Sequence, residues 1–212
     1  MGFQITLDGR VLKTQGKKQL LCRTEKQAQI VAAEWDAQID EIKPEEMPCT
    51  RLMNVACEMT PANRPELIAE FRKYCETDLL CYRTAEPRDL TERQETEWQP
   101  VLDWVAGLYG IALAVTDGLT ALPQPESSLN AGANFATDLD DVALTLLLHF
   151  TASFGSAILA LAVLTEHLSV DRAFSLSKLD EIFQNERWGE DDEAIANNAA
   201  LLRELEALSK LI

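Results

Sequence analysis

The late segment between residues 170 and 188 carries the side chains best suited to recognise another molecule. At helical spacing, one side of this segment presents Val170, Phe174, Ser177, Glu181, Gln184 and Trp188. A carboxylate and an amide therefore lie among apolar groups, and aromatic side chains provide desolvated contact area while an acid pairs with a cation across an interface. This mixture indicates a protein-binding surface. The alternative is a second buried face, in which Glu181 is bonded internally to Arg187 or to another base.

A nucleophilic thiol is the second chemistry that the residue types permit. Cys57, Cys75 or Cys81 could act with His149 or His167, because a neighbouring imidazole promotes formation of the thiolate. The chain has only 2 histidines, and the motifs that accompany a catalytic nucleophile are missing. The sequence therefore ranks a thiol-dependent enzyme well below a binding protein.

Nucleotide and metal chemistry lack their usual residues. The run GKKQ at residues 16–19 does not fit a phosphate-binding loop, no GxGxxG or GxSxG motif is present, and zinc-ligand spacing is absent. We therefore predict no catalytic residues, no bound metal, no cofactor and no nucleotide.

The composition predicts a folded, acidic protein. The 212 residues are 47% hydrophobic, and 35 acidic against 19 basic residues give a formal charge of -16. This charge argues against binding to nucleic acid or to an anionic membrane surface and is compatible with a neutral or basic protein partner. Acidic surfaces also keep soluble proteins dispersed, so an acidic adaptor protein stays an alternative.

The cysteines and the N-terminus indicate a reducing compartment. The 5 cysteines include no Cys-x-x-Cys pair, which favours free thiols. The first residues contain no basic segment followed by an apolar stretch, so neither a secretory signal nor an Arg-rich transit peptide is predicted. The bacterial cytoplasm, or the mitochondrial matrix after processing, fits these features.

A run without Asp, Glu, Lys or Arg, from residue 142 to residue 164, is long enough to cross a bilayer. Polar residues interrupt this run, acidic residues precede it, and no basic flank gives an orientation signal. We predict a buried helix, or two helices that break near Gly155, and no membrane insertion. His149 is expected to pack inside with one hydrogen-bonded partner.

Residues 1–49 are predicted to form a small β-rich domain with one helix. Strands are expected near residues 3–7, 10–14 and 19–23, with a hairpin at Asp8-Gly9. A three-stranded antiparallel sheet is marginal alone, so it should pack on a helix over residues 25–41 that has Thr24 as its N-cap. Trp35 is predicted to be a core residue of that helix, because it shares one helical face with Ala28, Val31, Ile39 and Ile42.

Residues 50–212 are predicted to form a larger, mostly α-helical domain, which makes the fold class α+β. Helical patterns cover residues 51–59, 62–76, 91–109, 140–153, 156–167, 170–187 and 192–209, whereas residues 118–132 are expected to form a long exposed loop. Pro48 favours an extended backbone before the first of these helices, and Thr50 is its expected N-cap. Gly189 is the expected left-handed C-cap of the late helix.

Five separated runs resemble one known family. They are LDGR at residues 7–10, AEWDAQ at 33–38, MPCTRLMN at 47–54, TDLLCYR at 77–83 and LDEIFQNERWG at 179–189. In this order they resemble the F1-ATPase assembly chaperones that act on the α subunit.

The resemblance implies an ATP-independent chaperone that binds the unassembled F1 α subunit and promotes F1 assembly. It also implies that the acidic block before the Gln-x-x-x-Trp-Gly run is tied to chaperone activity, so Asp180 and Glu181 are the main candidate contacts. Gln184 and Trp188 are secondary candidates.

Overall fold

The N-terminal strands form two short antiparallel pairs. The computed structural model describes residues 2–118, 120–189 and 191–212. Strands β1 (Phe3–Gln4) and β4 (Leu21–Cys22) pair with each other, as do β2 (Thr6–Leu7) and β3 (Arg10–Val11). Asp8 and Gly9 have φ values of 50° and 77°, which is the geometry of a two-residue hairpin turn between twisted strands. The predicted hairpin is confirmed, and the strands are shorter than predicted.

Helices make up most of the remaining chain, as the α+β prediction required. They are α1 (Glu25–Asp36), α2 (Pro48–Glu58), α3 (Thr60–Glu76), α4 (Arg88–Tyr109), α5 (Glu126–Asp138), α6 (Asp141–Phe154), α7 (Ala157–Leu164), α8 (Val170–Ser177), α9 (Leu179–Trp188) and α10 (Asp192–Ser209). Short 3₁₀ turns cover Pro44–Glu46 and Leu79–Cys81. The apolar helix α7 lies at the centre and packs against α3, α4, α6 and α8, because a helix that is apolar on every side must be buried.

The apolar run predicted to be one or two buried helices is two helices. Helix α6 ends at Gly155, whose φ of 65° is left-handed, and α7 begins after Ser156, whose side chain accepts the N–H of Leu159. Within the three described ranges, no helix has the length and apolar character needed to cross a membrane.

Helix α1 is shorter than predicted, so the predicted apolar face does not extend to Ile39 and Ile42. Thr24 is the N-cap as predicted, but the helix ends at Asp36, and Ile39 is 91% exposed in the loop that follows. The Gln38 side chain donates to the carbonyl of Glu34 and accepts the N–H of Lys43 at 2.8 Å, which turns the chain away from the helix axis. Ile42 is exposed as well.

Trp35 is half-buried and packs against the hydrophobic core. The ring therefore contacts the core on one side and solvent on the other. The Trp35 Nε1 atom is buried and has no hydrogen-bond partner in the described part of the chain.

An exposed loop was predicted at residues 118–132, and this prediction is wrong from residue 126 onward, because helix α5 begins there. Residue 119 lies outside the described ranges. Leu129 and Ala136 are buried, and the Ser128 hydroxyl donates to the carbonyl of Ala112 at 2.7 Å. A sequence rich in Ser, Asn and Gly is therefore helical because tertiary packing overrides its weak local preference.

The boundary predicted at residue 49 stays a prediction. Helix α2 begins at Pro48, and Pro at the first helical position is favourable because that residue has no N–H to leave unpaired. Buried side chains of the strand region, such as Ile5 and Leu20, belong to the same hydrophobic cluster as Leu52 and Met53 of α2.

Candidate partner-binding surface

The late segment is held on helix α4 by charged and polar contacts. Arg93 of α4 pairs with Glu186 of α9 at 2.8 Å, and Asp89 pairs with Arg187. Nearer the start of the segment, the buried Trp98 donates its Nε1–H to the carbonyl of Leu176 at 3.0 Å. These contacts fix α8 and α9 in position, and a binding surface that is already ordered loses less entropy when a partner docks.

The segment predicted to be one helix is two helices that meet at Lys178, whose φ and ψ of -105° and 13° interrupt the helical path. Helical spacing therefore does not carry from residue 174 to residue 181. Phe174 is only 8% exposed and lies in the hydrophobic core. This burial argues against Phe174 as a contact for a partner, and the break at Lys178 separates it from the face that carries Glu181.

Asp180 faces the interior of the α4–α9 contact. Its Oδ1 atom accepts the side-chain N–H of the buried Gln94 at 2.8 Å, and the Gln94 carbonyl oxygen accepts the N–H of Thr84 at 2.8 Å. Burial lowers the pKa of the nearby Arg83, while the charges of Glu95 and Asp180 act in the opposite direction. The half-buried Asp180 therefore adds a favourable charge interaction for the buried Arg83.

Glu181 lies between α9 and α10. Its two carboxylate oxygens accept from Lys178 Nζ at 3.0 Å and from Asn198 Nδ2 at 2.6 Å. The hydrogen bond from Lys178 is the main cause of its lowered pKa. The sequence left open that Glu181 is bonded internally to Arg187 or to another base. In the structure this base is Lys178, and Arg187 pairs with Asp89 instead. The side chain stays partly exposed, so an external cation can still reach it.

Gln184 and Trp188 are the candidates that the structure leaves open to solvent. Gln184 is exposed, and Trp188 is 76% exposed at the last residue of α9. A tryptophan so exposed is costly for an isolated protein and typical of a contact surface.

Gly189 ends α9, but it is not a left-handed cap. Its φ of 93° favours glycine, whereas its ψ of 163° is extended and lies outside the left-handed helical region. The Gly189 N–H donates to the carbonyl of Asn185 at 3.0 Å and closes the last turn.

Two further runs of the family resemblance have structural roles that the sequence analysis missed. The carboxylate of Glu34 accepts the N–H groups of Cys49 and Thr50, each at 2.7 Å. The predicted N-cap role of Thr50 is wrong, because α2 begins at Pro48 and a side chain of α1 satisfies its first amides.

In the other run, the fully buried carboxylate of Asp78 accepts from the Ser156 hydroxyl at 2.8 Å and from the N–H groups of Leu80 and Ile158 at 3.0 Å. Burial raises the pKa of Asp78 to about 6 in spite of these bonds. The run therefore joins the turn after α3 to the start of the central helix α7. The sequence shows an acidic residue, Asp78, directly before three apolar residues, which could have indicated a capping role. It could not reveal the partner, because Ser156 lies 78 residues further along the chain.

Burial disfavours the thiolate form at four of the five cysteines. All five are free, and only Cys57 is not fully buried. Burial raises the pKa of Cys22 to about 11 and that of Cys49 and Cys81 to about 12, and it also raises the pKa of Cys75. Among the described residues, no group of three or more His, Cys, Asp or Glu is placed to hold a metal ion.

His149 departs from its prediction of one hydrogen-bonded partner. Its Nε2 atom is buried and makes no hydrogen bond within residues 2–118, 120–189 and 191–212. Burial lowers the pKa of this imidazole.

Comparison with known proteins places the whole architecture in one group. Residues 1–106 match a family model described as ATP12 chaperone protein. Atp12 from Paracoccus denitrificans is 36% identical, with 99% of this chain and 90% of that chain covered and a TM-score of 0.94. A point mutant of P. denitrificans Atp12p is also 36% identical, with the same coverage and a TM-score of 0.95. The mitochondrial protein atp12 of Schizosaccharomyces pombe is 24% identical over 202 residues, which cover 90% of this chain and 69% of that protein.

Proposed function

The chain belongs to the ATP12 chaperone family, and on that premise we propose that it binds the unassembled α subunit of F1-ATPase and promotes F1 assembly without using a nucleotide. Such a chaperone covers a surface that the β subunit later occupies, which prevents off-pathway association of the free subunit. The bacterial cytoplasm, or the mitochondrial matrix in a eukaryote, is the proposed location.

The exposed Trp188 carries the proposal for where the partner binds. This side chain lies at the end of a helix whose Glu186 and Arg187 are both paired to α4, so the end of that helix is held in place before binding. Aromatic side chains in such positions often dominate the binding energy of an interface.

Charge supplies the second part of the proposed contact. Glu181 and Asp180 both lie about two helical turns before Trp188, and the chain as a whole has a formal charge of -16. We propose that a basic group of the α subunit approaches the partly exposed Glu181 and competes with Lys178 for its carboxylate. An interface of this kind is reversible, because the acid has an internal partner to return to when the β subunit displaces the chaperone.

Light scattering of the purified α subunit diluted from denaturant tests the proposed function. The wild-type chain in several-fold excess is expected to suppress aggregation, whereas Trp188→Ala is expected to bind about tenfold more weakly through the loss of aromatic contact area. Leu108→Ala is the matched control, because Leu108 is another exposed apolar residue, on α4 and outside the proposed contact. Unchanged aggregation with the wild-type chain would contradict the proposal.

Glu181→Gln separates the charge from the hydrogen bonds. Glutamine can still accept from Asn198 but cannot pair with a basic group of the partner. We expect weaker α-subunit binding and a steeper loss for Glu181→Lys, with Glu70→Gln on the exposed face of α3 as the charge-matched control. Equal loss in the Glu70 variant would assign the effect to net charge and not to the site.

A further inference from the structure

Two large aliphatic side chains lie in solvent on the segment that joins α1 to α2. Ile39 is 91% exposed and Ile42 is 59% exposed. They belong to residues 37–46 of this segment, which we call the acidic loop. Burial of an isoleucine against another chain is favourable, so two exposed isoleucines on one short loop indicate a surface that a partner covers.

The acidic loop is held at both ends. The Gln38 side chain donates to the carbonyl of Glu34 at 3.2 Å and accepts the N–H of Lys43 at 2.8 Å. At the other end, the N–H of Met47 donates to the carbonyl of Pro44 at 3.1 Å, and the Met47 side chain is buried. The loop therefore needs little ordering when a partner binds, which lowers the entropic cost of the contact.

The acidic loop also carries a local excess of negative charge. Lys43 is its single basic residue, and it lies 3.8 Å from Glu46. The carboxylates of Asp40, Glu41 and Glu45 are exposed and join no ion pair within the described parts of the chain. A basic group that approaches the two isoleucines therefore meets carboxylates that have no internal cation to give up. This charge complementarity is local to the loop and does not depend on the net charge of the whole chain.

A hollow of about 260 Å³ lies within the bend of the acidic loop, and all of its lining residues belong to the loop. The lining combines the aliphatic Ile39 with the carboxylates of Asp40, Glu41 and Glu46. An arginine side chain has an apolar stem and a planar guanidinium that donates to carboxylates in pairs, so it matches both kinds of wall. An acidic peptide or a fatty acid would be repelled by the same carboxylates.

From these features we propose that the acidic loop binds a short basic segment of the client chain. An arginine of that segment enters the hollow, and a neighbouring large apolar side chain packs on Ile39 and Ile42. The inference rests on the proposed function, because it takes the segment to belong to the α subunit. No residue of the hollow belongs to α8 or α9, so this contact adds to the one proposed around Trp188. Two contacts on one client bind more tightly than either does alone.

Photo-crosslinking identifies what covers the acidic loop. A photoreactive phenylalanine analogue replaces Ile39 in one variant and the exposed Leu108 of α4 in a control variant. Each variant is mixed with purified α subunit and irradiated. Mass spectrometry is expected to map the adducts from position 39 to one segment of the α subunit that contains an arginine. Position 108 is expected to give no adduct with that segment.

Two double variants separate the apolar contact from the charge. Ile39→Ser with Ile42→Ser removes aliphatic surface and keeps every carboxylate, whereas Asp40→Asn with Glu41→Gln keeps the isoleucines and removes two charges. We expect each double variant to bind the α subunit about tenfold more weakly than the wild-type chain. The serine variant should keep the wild-type dependence of affinity on ionic strength. The amide variant should show a weaker dependence, because fewer ion pairs are left for salt to screen.

Glu66→Gln with Glu70→Gln is the charge-matched control. Both residues are exposed on α3, and the same number of charges is removed. This control should bind the α subunit like the wild-type chain. The helical content and the urea midpoint should be the same in all of these variants, because every replaced side chain is exposed.

A failure of the loop assignment differs from a failure of the proposed function. If the wild-type chain binds the α subunit but position 39 gives no adduct, or both loop variants bind equally well, the loop assignment is wrong and the function stands. An adduct segment without a basic residue, or an unchanged dependence on ionic strength in the amide variant, would overturn the basic occupant. Adducts with a second copy of this chain would make the loop a self-association surface and contradict the proposal.

The remaining outcomes concern net charge and the client itself. An equal loss of affinity in the Glu66 and Glu70 control would assign the effect to net charge and would overturn a site at the loop. If the wild-type chain does not bind the α subunit at all, the proposed function fails, and the client contact of the loop fails with it.

Discussion

Glu34 and Thr50 are joined by two hydrogen bonds, because the Oε2 atom of Glu34 accepts both the backbone N–H and the side-chain hydroxyl of Thr50, each at 2.7 Å. The other oxygen of the same carboxylate accepts the N–H of Cys49. A negative charge at this point also complements the positive end of the α2 dipole. A single side chain of α1 thus caps α2 and connects the strand-bearing region to the helices.

Glu34→Gln should therefore lower the stability of the folded chain. The amide can accept with only one of its two polar atoms, so one N–H or hydroxyl of the α2 start loses a charged partner. We expect a decrease of about 1–2 kcal/mol in the free energy of unfolding, measured by urea denaturation. Glu70→Gln, on the exposed side of α3, should change the midpoint little; equal decreases in the two variants would show that Glu34 has no special capping role.

Asp78 should titrate at an unusual pH for an aspartate. Burial raises its pKa from 3.8 to about 6, so the carboxyl carbon resonance of Asp78 in ¹³C NMR should have a midpoint near pH 6. A solvent-exposed aspartate ordinarily titrates at about pH 3.9. A midpoint for Asp78 in that ordinary range would show that its hydrogen bonds outweigh its burial.

The raised pKa of Asp78 makes the free energy of unfolding depend on pH. A raised folded-state pKa means that the folded chain holds the Asp78 proton more tightly than the unfolded chain does. The stabilisation from this protonation is complete below the unfolded pKa of 3.8 and is lost as the pH rises through about 6. In Asp78→Asn this contribution is absent, so the difference in unfolding free energy between the two proteins should grow as the pH falls from 6 to 4.

Local signals in the sequence predicted much of the fold. Thr24 is an N-cap as expected, Asp8-Gly9 makes the hairpin, and Gly155 divides the apolar run. Each of these depends on backbone geometry or on hydrogen bonds within three or four residues. The sequence spacing contains that information.

Other expectations failed because of contacts that are distant in sequence. Helix α2 starts at Pro48 because Glu34 reaches it from α1, and α5 forms because its buried face packs on the core. In the candidate site, Gln94 and Asn198 decide how Asp180 and Glu181 are oriented. Helical periodicity indicates which side chains share one side of a helix, but it does not reveal which residues elsewhere in the chain contact them.

Trp35 should tolerate loss of its nitrogen far better than gain of a charge. Its Nε1 makes no hydrogen bond in the described part of the chain, so Trp35→Phe removes only part of the packing surface. We expect Trp35→Phe to cost about 1 kcal/mol, and Trp35→Arg about 3 kcal/mol or more because a cation would lie against the core. Urea denaturation measures both. Equal costs would mean that the ring contributes through a contact that phenylalanine cannot keep.

His149→Leu should leave the folded chain at least as stable as the wild-type chain. Leucine replaces a buried, unpaired Nε2 with apolar atoms of similar size, so the free energy of unfolding should stay unchanged or rise by about 1 kcal/mol. Urea denaturation measures this quantity, with the wild-type chain as the reference. A decrease of about 1 kcal/mol or more in His149→Leu would show that the imidazole makes a favourable contact that leucine cannot keep.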